Sequence, residues 1–254
     1  MISDHQNIEW ALLGTLAVDT LGPEEKEFYD KYRPVFEIGR MARRMAEGYY
    51  AYTAAMTVAR DPRANSLVTT EEGGNQTIPV GHAPRKDGSS HVYDTLHYLD
   101  YARTNPEMVQ DLERVWIVGS LIAVGDALDK RDYLNRLPLF ELVRHLRNGV
   151  AHGNEFNIKK PESLRKFPAH NRQARFKATV FEIKPELDRD RGPVLFEFMG
   201  AADVLDLLMS IGSYLTHITQ LVKLGELDSL LQALGRASSA ASSSRGPDRP
   251  RALR

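Results

Sequence analysis

The chain has 254 residues, of which 42% are hydrophobic and 26% charged, with a formal net charge of −1 and no cysteine. The absence of cysteine excludes disulfides, a thiolate nucleophile and Cys-based zinc or iron sites, and it fits a cytoplasmic protein. Met1 to Thr20 carry no basic-then-apolar leader, and the most apolar run, Val115 to Val124, falls far short of the roughly 20 residues that cross a bilayer. A cytoplasmic globular protein with no membrane partner is the expectation.

In chain order, a first helix is predicted near Asp4 to Ala17, with Ile8, Leu12, Leu13 and Leu16 on one face before Gly22-Pro23. A long second helix follows to about Arg60. Its stripe is Ile38, Met41, Met45, Tyr49, Tyr52 and Met56, with Pro34 near its start or marking a break. Asp61 to Ser90 is rich in Gly, Pro, Asn and Thr and reads as a long loop with a short strand around Thr77 to Val80. His91 to Tyr101 begins a short helix. Pro106 opens a third major helix through Met108, Leu112, Val115, Trp116, Gly119 and Leu121 toward Leu128, and Gly119 and Gly125 are read as points of close helix contact.

Leu139, Phe140, Leu142, Val143, Leu146 and Val150 recur at helical spacing, which predicts a helix over roughly Leu137 to Ala151 with Pro138 in its first turn and Gly153 as its C-terminal cap. Arg175 to Ile183 and Pro193 to Met199, rich in Phe and Val around Lys184 to Gly192, read as a β-hairpin. Val204, Leu207, Leu208, Ile211, Tyr214, Leu215, Ile218 and Leu221 mark a last core helix, and Leu227 to Leu234 a short one ending at Gly235. The fold class is therefore mainly α: residues 1–235 form a helical bundle with a long loop insertion and a hairpin at about 175–199. Residues 236–254 form a disordered Ser/Ala/Arg-rich tail.

The chemistry concentrates at Arg147-Asn148-Gly149-Val150-Ala151-His152-Gly153, where a helix ends. Arginine offers a fixed planar fork for phosphate oxygens, and histidine exchanges protons near neutrality. Asn148 and His152 share a face one turn apart, while Arg147 and His152 are separated by about 140° of rotation. One copy of the motif converges poorly, and a second copy across a two-fold axis would supply the missing groups. Lys159 to Lys177 holds Lys159, Lys160, Arg165, Lys166, Arg172, Arg175 and Lys177 against Glu162 alone. Such a segment suits a phosphate backbone, with Phe167, His170 and Phe176 able to stack on unpaired bases. Arg40, Arg43 and Arg44 form a second basic cluster that reads as a solvated helix face. A phosphate-cradling Gly-Lys-Ser/Thr loop does not occur, and His145 and His152 lie about 10 Å apart along one helix, too far to share a zinc ion. No metal or cofactor is expected.

Arg147-Asn148-x-x-x-His152 at the end of a late helix in an all-helical chain resembles the HEPN family (higher eukaryotes and prokaryotes nucleotide-binding) in its ribonuclease form. The match covers six positions plus the helical organisation. The resemblance implies a metal-independent endoribonuclease of toxin or antiviral-defence type, acting as a homodimer on RNA, with an antitoxin or other regulatory protein as a further partner. It makes Arg147 and His152 the functional pair and Asn148 their polar companion, with Lys159, Lys160, Arg165, Lys166, Arg172 and Arg175 as the candidate RNA-binding residues beside them. The alternative is a noncatalytic HEPN-like dimerisation or nucleotide-binding module.

Overall fold

A computed structural model describes residues 23–68, 70–72, 75–77, 80–134, 137–158, 160–187 and 192–223. The expected first helix at Asp4 to Ala17, the short helix at Leu227 to Leu234 and the tail 236–254 lie outside these residues. Among the described residues the chain is mainly α-helical. Helix α1 spans Pro23–Ala59 and runs through Pro34 without ending there. Its Ile38 is buried, and Met41, Met45 and Tyr49 pack against the core as their spacing predicts. Ala42 and Ala46 are fully buried between them, small enough to let neighbouring helices approach.

Helix α4 (Pro106–Lys130) starts as expected, with Pro106 in its first turn and the Asn105 side chain accepting from Met108 N at 3.0 Å. It is fastened to α1 by Trp116, whose indole N–H donates to the Met45 carbonyl at 3.0 Å and whose ring stacks on Tyr52 with 5.9 Å between centroids. Leu112 and Val115 face outward, so the stripe runs instead through Val109, Ile117, Leu121, Val124 and Leu128. Gly125 meets a neighbouring helix as read from sequence, whereas Gly119 has open space around it. Helix α7 (Ala201–Lys223) packs along α1, where a Cβ on Gly212 would lie 3.0 Å from the Gly39 carbonyl. Helix α5 (Pro138–Ala151) completes the core, with Phe140 edge-on to Tyr214 of α7.

Two expectations are corrected. The segment expected as one long loop over residues 61–90 instead holds a short helix α2 (Ala64–Val68) and, running on to Asp94, two antiparallel hairpins, β1 (Thr70–Glu72) with β2 (Asn75–Thr77), and β3 (Val80–Pro84) with β4 (Ser90–Asp94). Every residue of β3 and β4 is at least partly exposed, so neither strand has a buried face to leave an alternating apolar signature. The second hairpin turns at Gly88, where φ is +84°, and the Asp87 carboxylate accepts from Ser89 N. Residues 91–94 belong to β4, and helix α3 (Thr95–Thr104) begins only after Asp94, whose side chain accepts from His97 N at 3.0 Å.

The expected hairpin at 175–199 is the second correction. Among its described residues only single bridges occur, His170 with Glu182, Glu155 with Pro193 and Leu195 with Met199. Asparagine side chains take the place of strand partners. Asn171 Oδ1 accepts from Phe181 N at 2.7 Å while its amide donates to Thr179 O at 3.0 Å. The Asn154 carboxamide likewise receives Leu195 N at 2.9 Å and donates to Leu195 O at 3.1 Å. Of the apolar residues that suggested strands, Ile183, Val194, Leu195 and Met199 are buried and Phe181, Phe196 and Phe198 pack against the core, while Val180 is exposed.

Candidate functional site

The motif helix α5 is set by its sequence at both ends. Pro138 occupies the first turn, and at the other end His152 is the cap residue and Gly153 adopts φ +94°, a left-handed conformation that glycine takes without cost. Asn154 continues the turn at φ +64°, which asparagine tolerates, and its carboxamide then docks residues 193–195. Those residues approach the helix at Gly149. A Cβ there would collide with Val194 Cγ2 and lie 2.9 Å from the Glu155 carbonyl, so the glycine inside the motif is demanded by packing.

Arg147 leaves α5 toward α4 and lies across Gly125, where a Cβ would come within 2.7 Å of its side chain. Its Nε donates to Asp126 Oδ1 at 2.6 Å, its Nη2 engages the same carboxylate, and its Nη1 donates to Asn148 Oδ1 at 2.9 Å. The arginine is therefore aimed by two acceptors and remains partly open to solvent, its side chain 28% exposed and that of Asp126 51%. Asn148 serves the arginine here, where sequence spacing placed it on the face of His152. His152 is exposed, its backbone N–H closing the helix on Asn148 O and Gly149 O at 3.1 Å, and among the described residues no group holds its ring.

One turn earlier on α5 lies a polar cluster that the motif does not announce. Glu141 is 1% exposed, Arg144 donates to it at 2.9 Å through Nε, and Arg144 Nη2 lies 3.2 Å from His145 Nε2. A guanidinium can only donate, so Nε2 accepts and the imidazole is neutral with its proton on Nδ1. Burial, reinforced by the Arg144 charge, pushes the His145 pKa down to about 4. The Glu141 carboxylate, 4.0 Å from Nε2, opposes this, but Arg144 already compensates its charge. His145 is thus a packed, neutral histidine that holds a buried carboxylate in place through Arg144.

The basic segment divides. Lys159 lies outside the described residues. Lys160, Arg165 and Lys166 are exposed around the single turn α6 (Ser163–Lys166), and Lys166 sits over the Phe167 ring at 5.2 Å. Arg172 pairs with Glu182 at 2.8 Å and holds that carboxyl below its ordinary range. Arg175 stacks on Phe176 and donates to Ser213 Oγ of α7 at 3.3 Å, and Lys177 donates to Ala174 O at 2.7 Å. His170 is 8% exposed, which removes it as a stacking platform, while Phe167 and Phe176 are half-buried.

The segment's position also departs from expectation. His170 N donates to the carbonyl of Pro138, the first residue of α5, at 3.0 Å. Fourteen residues at 1.5 Å each separate Pro138 from His152, so this anchor lies about 20 Å from the motif's histidine. Arg172, two residues beyond it, therefore sits by the other end of the helix, and Arg175 is tied to α7. Neither is brought beside Arg147 and His152.

Asp126 is the site residue that sequence reading missed. Its one signal was Gly125, a small residue marking where another helix comes close. Comparison with known proteins returns no matching family model, no matching curated protein and no matching solved structure. Among the described residues, no helix is long and apolar enough to cross a membrane.

Proposed function

We propose that this protein is a metal-independent endoribonuclease of the HEPN type, with an Arg/His site composed across a homodimer. The observation that carries this reading is the presentation of the motif: His152 stands exposed at a helix terminus while, on the preceding turn, Arg147 is aimed by Asp126 and Asn148 with part of its guanidinium open to solvent. In the proposed reaction His152 takes the proton of a ribose 2′-hydroxyl as that oxygen bonds to the adjacent phosphorus. The bond to the 5′ oxygen breaks, and the leaving oxygen takes its proton from water. The products are a 2′,3′-cyclic phosphate and a 5′-hydroxyl. Arg147 offsets the charge that builds on the phosphate oxygens, a role for which its five fixed donors suit it. The Arg147–Asp126 pair is exposed enough to open for a phosphate at a cost of about 0–1 kcal/mol.

A toxin or defence role, with an antitoxin or regulatory partner, belongs to the same reading. Its test is incubation of the purified protein with mixed RNA in excess chelator beside the His152→Ala variant. Cleavage that leaves cyclic phosphate ends and is lost in the variant supports it; absence of cleavage, or cleavage unchanged in the variant, overturns it.

One observation favours the second reading, a noncatalytic HEPN-like module. Arg147 already has a carboxylate partner on α4 and packs on Gly125, as an arginine that only joins two helices would. In that case Arg147→Ala and Asp126→Ala would have the same consequence, a small loss of stability.

A further inference from the structure

The turn over residues 193–199 carries a bulky residue in an unfavourable backbone conformation beside the motif. Phe196 has φ +77°, in the left-handed region where an aromatic side chain crowds its own backbone, and such a conformation persists only where the surroundings fix it. Hydrogen bonds on both sides do so. Asn154 holds both backbone groups of Leu195, Phe196 N donates to Met199 O at 2.7 Å, and Met199 N donates to Val194 O at 3.3 Å. The result is a half-buried ring with Arg114 of α4 over it, the guanidinium carbon 5.1 Å from the ring centroid. An apolar contact alone would not call for an aromatic residue where the backbone conformation suits glycine.

Two contacts put this pair at the motif end of α5. Val194, two residues before Phe196, lies against Gly149, and Leu195 is docked on Asn154, two residues after His152. Two residues of chain span at most about 7 Å and adjacent Cα atoms are about 3.8 Å apart, so Phe196 follows closely on the turn that presents His152. Arg147 meets α4 at Asp126, and the turn beyond reaches α4 through Phe196 at Arg114, so the end of α5 runs back toward the start of α4. A guanidinium is planar and stacks on flat groups, so one seated over a ring offers its far side to a second flat group, and unpaired nucleobases stack on such planes. We infer that Arg114, seated on Phe196, is the shelf on which the nucleobase beside the cleaved bond stacks, in the subunit that supplies His152. The inference rests on the endoribonuclease reading for the bond that is cleaved, and it makes Arg114 a binding residue with no part in proton transfer. A free nucleotide offers the same base, so the experiment separates the two sources.

Binding of a fluorescently labelled twelve-residue oligoadenylate is measured by anisotropy in chelator, in a His152→Ala background so that no cleavage intervenes, beside a ribose-phosphate oligomer of equal length without bases. Arg114→Lys keeps the charge and a cation over the Phe196 ring but removes the planar face. It is expected to weaken oligoadenylate binding about fivefold or more, the low end of what one stacked base contributes, while binding of the base-less oligomer, the salt slope and the melting temperature stay unchanged. A contact that only joined α4 to the turn would survive in this variant and leave oligoadenylate binding untouched. Phe196→Gly, which suits the backbone and removes the seat, should weaken oligoadenylate binding by a similar factor; should it fail to fold, the Arg114→Lys comparison still decides. A competition constant for AMP equal to that of unlabelled oligoadenylate would make a free nucleotide the occupant and overturn the assignment to a strand, and weaker competition by AMP supports the strand. Equal weakening on both oligomers, or full retention of oligoadenylate binding in Arg114→Lys, overturns the inference. Because the readout is binding by a protein lacking His152, either result leaves the cleavage test to stand or fall separately.

Discussion

Arg147 and His152 stand in different relations to the fold, and substitutions can separate them. The Arg147–Asp126 pair is half open to water, so Asp126→Asn should lower the melting temperature by no more than about 4 °C, the effect of up to about 1 kcal/mol in a chain of this size. Arg147→Ala and His152→Ala should each reduce RNA cleavage about a hundredfold or more while the melting temperature stays within the same margin, because each positioned donor is worth about 3 kcal/mol of barrier. Equal and complete loss of folding in Arg147→Ala would assign the arginine to the core instead.

His145 makes a prediction about pH. Its folded-state pKa of about 4 lies below the ordinary value of 6.5, so the unfolded chain takes up the proton first as the solution is acidified. Its contribution is fully present above about pH 6.5 and is lost as the pH falls toward 4, at about 1.4 kcal/mol per unit. Thermal melts between pH 7 and 4.5 should show this decline. His145→Gln, which retains an acceptor for Arg144 but does not titrate, should flatten it; an equally steep decline in that variant would assign the effect to other groups.

At the scale of elements, the carboxamides of Asn154 and Asn171 hold Leu195, Thr179 and Phe181 where a hairpin over about 175–199 was expected. Asn154 satisfies both backbone groups of Leu195, a residue 1% exposed, so Asn154→Ala leaves a buried donor and a buried acceptor without partners. The expected cost is about 2–4 kcal/mol, a drop of at least about 4 °C in melting temperature. Asn154→Gly, which keeps the backbone conformation and removes the same side chain, should fall by a similar amount, and its failure to do so would put the effect in the backbone. Gly149→Ala tests the adjoining contact. Its new methyl meets Val194 and the Glu155 backbone, for an expected loss of about 1–3 kcal/mol in a urea titration.

At the scale of the whole molecule, the proposed site requires two copies of the chain. Arg147 is committed toward α4 and His152 projects from the cap, consistent with a motif whose charged groups do not converge within one subunit. Light scattering at micromolar concentration should give a dimer. Co-expressed Arg147→Ala and His152→Ala subunits should recover activity in the mixed species that neither variant has alone, and a strictly monomeric, active protein would end the composite-site model.

The parts of this chain that could be read in advance follow from local rules. The α1, α4, α5 and α7 helices were legible because each lays a periodic apolar stripe on one core, with Pro106 opening α4, Pro138 opening α5 and Gly153 following the C-terminal end of α5. The motif's place at a helix terminus came from the same signals. The β3–β4 pair was not legible, since exposed strands carry no buried alternation, and the residues at 175–199 were misread because core-filling aromatic and branched side chains occur in strands and irregular segments alike. Which charges meet depends on how the helices pack. The packing placed Asp126 against Arg147, paired Arg172 with Glu182 and carried that arginine to the far end of α5, and gathered Arg40 and Arg44 with Lys130 and Arg131, residues about ninety positions apart in sequence. Ion pairs and clefts depend on how helices cross, and hydrophobic periodicity records which face of a helix is buried but not which neighbour covers it.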